Sequence, residues 1–254
     1  MPQTLSPATT TIDEVIARLD DVAASAVRDN SRLAYFACLY RGVTRRVRDG
    51  IAAGRFEDGP RMERLDVIFA GRYLAALEAY RRGGRAPRSW TAAFDGTRAR
   101  HLLIVQHLVL GINAHINFDL GIAAAQTSPG YELRGLKRDF DEISALLGEM
   151  LDDVQDRIAR VSPWMGVLDR IGSRTDEEIC TFCLGGSRDA AWRAAERFAV
   201  LGKDALPAEL DHLDRVVAAL AHPIRSPGPL VQAGLLLARA REPGDVARVV
   251  EVFE

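Results

Sequence analysis

The sequence predicts an all-α fold, a single-domain multi-helix bundle around a central buried helix at about residues 97–125. Apolar residues recur at helical spacing along most of the chain, and no stretch alternates apolar and polar residues for long enough to form a sheet. Helix-start signals precede several of these apolar stripes. With 254 residues and a hydrophobic fraction of 48%, the chain can bury a substantial core, which excludes wholesale disorder.

Three helices are predicted in the first third of the chain. Thr11 and Glu14 have the spacing of a capping box, which opens the first helix. A second amphipathic helix covers about residues 33–50. Pro60 suits the first turn of a third helix, and Gly83 suits its end.

One long helix is predicted from about Trp90 to Ala125, with Gly96 as its weakest point. A fifth helix carries an apolar stripe from Phe140 to Ile158. The rest of the chain is predicted to form shorter helices, which begin near Thr175, Ser187, Pro207, Leu230 and Gly244.

The central helix carries polar residues although it is apolar almost all round. A buried polar group without a hydrogen bond costs roughly 1–3 kcal/mol, so these residues need partners or a function. At about 100° per residue, His115 and Asp119 fall on one side of the helix. Gln106, Asn113 and Asn117 fall on the opposite side. The i and i+4 spacing of His115 and Asp119 allows the two side chains to share one site.

Asp66 is the expected partner of this site. It lies on an apolar face of the third helix, which predicts a buried carboxylate with Arg72 and His115 as candidate neighbours. A histidine between two carboxylates can move protons. The same three side chains, His115, Asp119 and Asp66, also suit one divalent metal ion if another helix adds ligands; the cofactor is otherwise unknown. The alternative is a buried polar network that only fixes helix register.

Two other motifs suggest chemistry that their surroundings do not favour. Asp152, Asp153 and Asp156 match the DDxxD pattern with which class I terpene synthases and prenyltransferases hold magnesium and diphosphate. These aspartates lie opposite the apolar stripe of their helix, which predicts a solvent-facing cluster. Cys180 and Cys183 form a lone CxxC inside a predicted helix, where they are expected to pack.

Composition narrows the expected partners and location. The net charge of −2 gives no general attraction for nucleic acid, and the most apolar run is too short to cross a bilayer. Residues 1–10 are polar and are predicted to form a disordered tail before a single domain over residues 11–254. Three cysteines, an odd number, suit a reducing compartment. We therefore expect a cytoplasmic protein with a small-molecule substrate and no nucleic-acid or membrane partner, and we leave homo-oligomerisation open.

The segment Asn113-Ala-His-Ile-Asn-Phe-Asp-Leu120, preceded by Gly111, resembles the signature of an uncharacterised bacterial domain-of-unknown-function family, DUF5995. Residues 11–16, 35–47, 64–69 and 188–192 resemble it as well, so the likeness extends from about residue 11 to residue 200. The resemblance implies no activity. It implies a shared pattern that contains Asp66, Asn113, His115, Asn117 and Asp119, whereas Phe118 stands where many relatives are expected to have a polar residue. His115 and Asp119 are also similar in spacing to a metal-binding pair of the helical zinc-dependent phospholipase C and nuclease group.

These patterns predict a small-molecule enzyme of the cyclase, lyase or hydrolase type with a mostly apolar helical pocket. In this prediction His115 transfers a proton, and the carboxylates of Asp119 and Asp66 orient the imidazole or favour its charged form. The expected substrate-binding residues are Asn113, Asn117, Arg72 and Tyr73. Two alternatives stay open: a non-catalytic binding or scaffold protein with a structural polar network, and a magnesium- and diphosphate-dependent terpene-type enzyme that uses the DDxxD aspartates.

Overall fold

A computed structural model describes residues 10–162 and 186–253, and this part of the chain is helical with no strand, which confirms the predicted fold class. Two short 3-10 segments, Gly130–Glu132 and Glu251–Phe253, accompany the longer helices. The helices are α1 (Ile12–Arg28), α2 (Leu33–Ala52), α3 (Gly59–Arg81), α4 (Arg88–Gly96), α5 (Ile104–Thr127), α6 (Leu133–Ala159), α7 (Ser187–Val200), α8 (Leu206–Arg225), α9 (Pro229–Arg239) and α10 (Val246–Val250).

The helix ends follow the local sequence signals in most places. Thr11 and Glu14 form the predicted capping box at the start of α1. Pro60 lies in the first turn of α3, and Gly83 adopts a φ of 68°, a left-handed conformation that stops a helix at little cost for glycine. Ser187 is the first residue of α7 and not its cap, since Gly186 occupies the cap position. The predicted helix start at Thr175 and the Cys180 and Cys183 pair lie outside the described residues.

The sequence predicts one helix from about Trp90 to Ala125, whose buried central part covers about residues 97–125. The structure instead divides this stretch into two helices. The chain leaves the helical path between α4 and α5, and the central helix covers Ile104–Thr127. A residue far along the sequence caps its first turn: the Ile104 N–H donates to the Glu242 carboxylate at 3.1 Å. The Leu103 N–H donates to Gln106 Oε1 at 2.9 Å. Periodicity along one segment cannot reveal a cap supplied by a residue so far along the chain.

Helix α5 is the centre of the bundle and contacts α2, α3, α4, α6, α7 and α8. Two glycines allow the closest approaches. A Cβ at Gly111 would lie 2.4 Å from the Phe36 ring, and one at Gly121 would lie 2.6 Å from the Ala191 carbonyl oxygen. By length and composition alone α5 could cross a membrane, but 83% of its most apolar window is buried inside the protein, as in the core helix of a soluble protein.

The middle of α5 departs from α-helical geometry. Residues Asn113–Leu120 form a π-helical turn between two α-helical segments. In such a turn the backbone bonds run from i to i+5, which widens the helix, and π turns inside α-helices are often associated with functional sites. The turn contains all four polar residues singled out between 113 and 120.

Candidate functional site

The π turn brings His115 and Asp119 together as their spacing predicts. His115 Nδ1 lies 3.6 Å from Asp119 Oδ2, slightly beyond hydrogen-bond distance, and both side chains are buried. This arrangement favours the tautomer with the proton on Nδ1, facing the carboxylate, and leaves Nε2 as the basic nitrogen.

Asp119 is held by two donors from neighbouring helices. Arg72 Nε on α3 donates to Asp119 Oδ1 at 2.8 Å, and Trp90 Nε1 on α4 donates to Asp119 Oδ2 at 2.7 Å. A buried carboxylate needs such compensation for its lost hydration. Arg72, which the sequence offers as a candidate neighbour of Asp66, thus binds the Asp119 carboxylate. Arg72 and Trp90 fix Asp119 behind the imidazole.

His115 is enclosed by aromatic rings. Its imidazole stacks on Phe69 with ring centroids 3.5 Å apart and planes 6° from parallel, and Tyr40 lies edge-on at 4.4 Å. Burial lowers the pKa of His115, with the nearby Asp119 acting in the opposite direction, so the neutral imidazole predominates at pH 7. Neither ring nitrogen has a hydrogen-bond partner in the described part of the chain.

A cavity of about 160 Å³ borders His115 and lies between α2, α3, α5 and α6. Its wall is almost entirely aliphatic and aromatic. The polar side chains that reach it are Tyr40, Asp66, His115 and Arg188. A cavity of ~150 Å³ engineered into another protein binds benzene, so this volume suits a compact apolar body.

Asp66 lines this cavity as a neutral acid. Its side chain is buried on α3, and Oδ2 has no hydrogen-bond partner within residues 10–162 and 186–253. Burial raises the pKa of Asp66 to about 8, and the neighbouring Glu63 charge adds to this effect. At neutral pH the cavity therefore presents a carboxylic acid from Asp66 and a neutral imidazole from His115.

Arg188 is the charged residue of the cavity wall to which sequence reasoning assigned no role. It comes from the first turn of α7 and is only 7% exposed. The guanidinium donates to the Phe140 carbonyl oxygen at 2.7 Å and to Ser144 Oγ at 2.5 Å. Burial lowers the pKa of Arg188 to about 10, which still leaves it charged at neutral pH. Its spacing with Ala191 and Ala195, at i+3 and i+7, places it on the buried stripe of α7 and could have indicated its position.

The opposite polar strip of α5 joins it to α8. Asn113 Nδ2 donates to the Val217 carbonyl oxygen at 3.0 Å, and Asn117 Nδ2 donates to Asn113 Oδ1 at 2.9 Å. Gln106 Nε2 donates to the Ile224 carbonyl oxygen at 2.7 Å. These bonds place Asn113 and Asn117 away from the cavity. Of the four predicted substrate-binding residues, Asn113, Asn117, Arg72 and Tyr73, the structure brings none to the cavity wall.

The predicted metal ligands do not form a cluster. Over residues 10–162 and 186–253, no group of three His, Cys, Asp or Glu side chains is placed to hold a metal ion. Asp119 is instead directed to Arg72 and Trp90, while Asp66 faces the cavity.

Two aspartates of the DDxxD motif, Asp153 and Asp156, face away from the cavity. Asp153 and Asp156 are exposed, and Asp153 forms an ion pair of 2.9 Å with Arg157. Val154 of the same helix lines the cavity from the other side. The placement matches the solvent-facing cluster that the sequence predicts.

The fold and the site define a helical protein with a mostly apolar cavity and a buried histidine–carboxylate pair beside it. The chain belongs to DUF5995, a family of unknown function, whose model matches residues 12–227. The match confirms the resemblance and extends it through α8. Comparison with curated proteins gives no significant match, and neither does comparison with solved structures.

Proposed function

We propose that the chain is an enzyme that moves protons on a small, mostly apolar molecule held in the cavity, with His115 as the base and Asp66 as the acid. The observation that supports this function is that His115 and Asp66 border one cavity whose other walls are almost entirely apolar. An acid and a base that line the same cavity can act on two atoms of one bound molecule.

The proton moves in a balanced cycle. His115 Nε2 takes a proton from a carbon or hydroxyl group of the bound molecule, and Asp66 gives a proton to a second atom, such as a carbonyl oxygen. When the product leaves, the imidazolium gives its proton to solvent and the Asp66 carboxylate takes one up, so both groups return to their starting states. Asp119 orients the imidazole and stabilises the imidazolium that forms, while Arg72 and Trp90 hold Asp119 in place. The Asp66 pKa of about 8 lies near neutral pH, where a general acid is most effective.

This chemistry fits elimination and ring closure, the lyase and cyclase types. Hydrolysis fits less well, because the apolar wall offers few groups that could position an attacking water.

Hydrogen exchange tests the proposal without knowledge of the natural substrate. The protein is incubated in D2O with small ketones and oxo acids that have apolar bodies, and deuterium in their C–H positions is measured by mass spectrometry against a protein-free blank. His115→Gln should slow catalysed exchange by about 10²–10⁴-fold. His107→Gln is the matched control, since His107 is also buried on α5 but does not line the cavity. Equal exchange in His115→Gln, or none in any compound, contradicts the proposed catalysis.

The second candidate is a non-catalytic binding or scaffold protein. One observation favours it: Gln106 and Asn113 donate to backbone carbonyls of α8, and Asn117 donates to Asn113, as in a structural polar network. Ligand binding without exchange would indicate a binding protein, and neither binding nor exchange would indicate a scaffold.

A further inference from the structure

The cavity wall contains one buried positive charge, Arg188, that forms no direct ion pair with a carboxylate of the described residues; Asp141 and Asp189 act on it only from a longer distance. Arg188 is only 7% exposed, and its hydrogen-bond acceptors, Ser144 Oγ and the Phe140 carbonyl oxygen, are neutral. The guanidinium also lies over the Phe140 ring, with Cζ 4.7 Å from the centroid. Burying a charge without an opposite charge is costly. A ligand that carries an anion would remove that cost.

We propose that the molecule bound in the cavity is a small apolar carboxylate whose carboxylate group pairs with the Arg188 guanidinium. This inference rests on the proposed function, because it names the substrate class of the same cavity. Guanidinium and carboxylate groups match in geometry and form strong charge-assisted hydrogen bonds.

The rest of the wall selects the body of the ligand. The lining from α6 is Ile143, Leu147, Met150 and Val154, all apolar, and Phe36 and Phe69 add aromatic faces. Inorganic phosphate would leave most of its oxygens against this apolar wall without donors. An ammonium ligand would be repelled by Arg188. A single ring or a short branched chain with one carboxylate matches both the volume of about 160 Å³ and the single charge.

Calorimetric titration with four probes tests this substrate class: benzoate, benzyl alcohol, benzylamine and inorganic phosphate. Benzoate should bind about ten-fold or more tightly than benzyl alcohol, because the two differ mainly in the charged group. Arg188→Met should abolish this preference while benzyl alcohol still binds. Arg188→Lys should retain a reduced preference, since it keeps the charge and loses the planar fork. Arg61→Met is the matched control, because Arg61 is a mostly buried arginine that pairs with Asp139 and does not line the cavity.

The outcomes separate this inference from the proposed function. If benzyl alcohol, benzylamine or phosphate binds as tightly as benzoate, the carboxylate class is wrong while the cavity remains a ligand site. A benzoate preference that survives in Arg188→Met overturns the role of Arg188. If none of the probes binds to the folded wild-type protein, both the substrate class and the proposed enzyme are wrong. Circular dichroism confirms that each variant is folded, and Arg188→Lys keeps the test valid if Arg188→Met does not fold.

Discussion

Replacing Asp66 by Asn should flatten the dependence of stability on pH. The folded protein holds the Asp66 proton with a pKa of about 8, whereas the ordinary value is 3.8. The folded state therefore binds this proton more tightly than the unfolded chain does. Below pH 3.8 the carboxyl is protonated in both states and carries no penalty. As pH rises from 3.8 toward 8, ionisation favours the unfolded chain by up to ~1.4 kcal/mol per pH unit, or on the order of 5 kcal/mol in total.

Urea unfolding followed by circular dichroism, at unit steps from about pH 4 to pH 9, measures this effect. Asn fits the space of Asp66 but does not ionise. The free energy of unfolding of Asp66→Asn should therefore rise relative to that of the wild type as pH rises. The slope of the difference is the decisive quantity, because the amide can shift the whole curve by a constant amount. Asp153→Asn, at an exposed position, should give a flat difference. Parallel curves for wild type and Asp66→Asn would refute a neutral buried acid at this position.

Two further predictions concern the support of the site and the packing of α5. Trp90→Phe removes the N–H that donates to Asp119 Oδ2. Relative to wild type, it should lower the free energy of unfolding by about 1–3 kcal/mol and slow the catalysed hydrogen exchange described above. Unchanged values for both would exclude the supporting role of Trp90. Gly121→Ala should destabilise by about 1–3 kcal/mol in urea, because its Cβ would lie 2.6 Å from the Ala191 carbonyl oxygen. Gly71→Ala, where a Cβ meets nothing within 4 Å, should instead stabilise by about 0.5–1 kcal/mol, and equal effects of the two would contradict the packing.

The local parts of the site could be predicted from the sequence. The i and i+4 spacing was sufficient to pair His115 with Asp119, since that relation depends on one helix alone. The apolar face of α3 was sufficient to predict the burial of Asp66. Polar residues on an otherwise apolar helix pointed to the correct segment, and the fold class followed from periodicity along the whole chain.

The parts that depend on contact between distant segments could not be predicted in this way. Helical angles offered Arg72 as a neighbour of Asp66, but they could not show that its guanidinium binds Asp119 on another helix. Arg188 enters the cavity because α7 packs against Gly121, and nothing near Arg188 in the sequence reports that contact. The first N–H of α5 is capped by Glu242, which lies far along the chain. A fixed angle of about 100° per residue also cannot describe a π turn.

The π turn also makes the number of residues between 113 and 120 a determinant of the structure. Its two flanking segments have separate tasks: Gly111 meets Phe36 of α2, and Gly121 meets the backbone of α7. Losing one residue inside the turn would rotate the second segment by about 100° relative to the first. Gly121 would then point away from α7, and a bulkier side chain would be driven against that helix. Chain length within this turn therefore sets the angular phase between the two halves of α5, and relatives should tolerate substitutions there more readily than insertions or deletions.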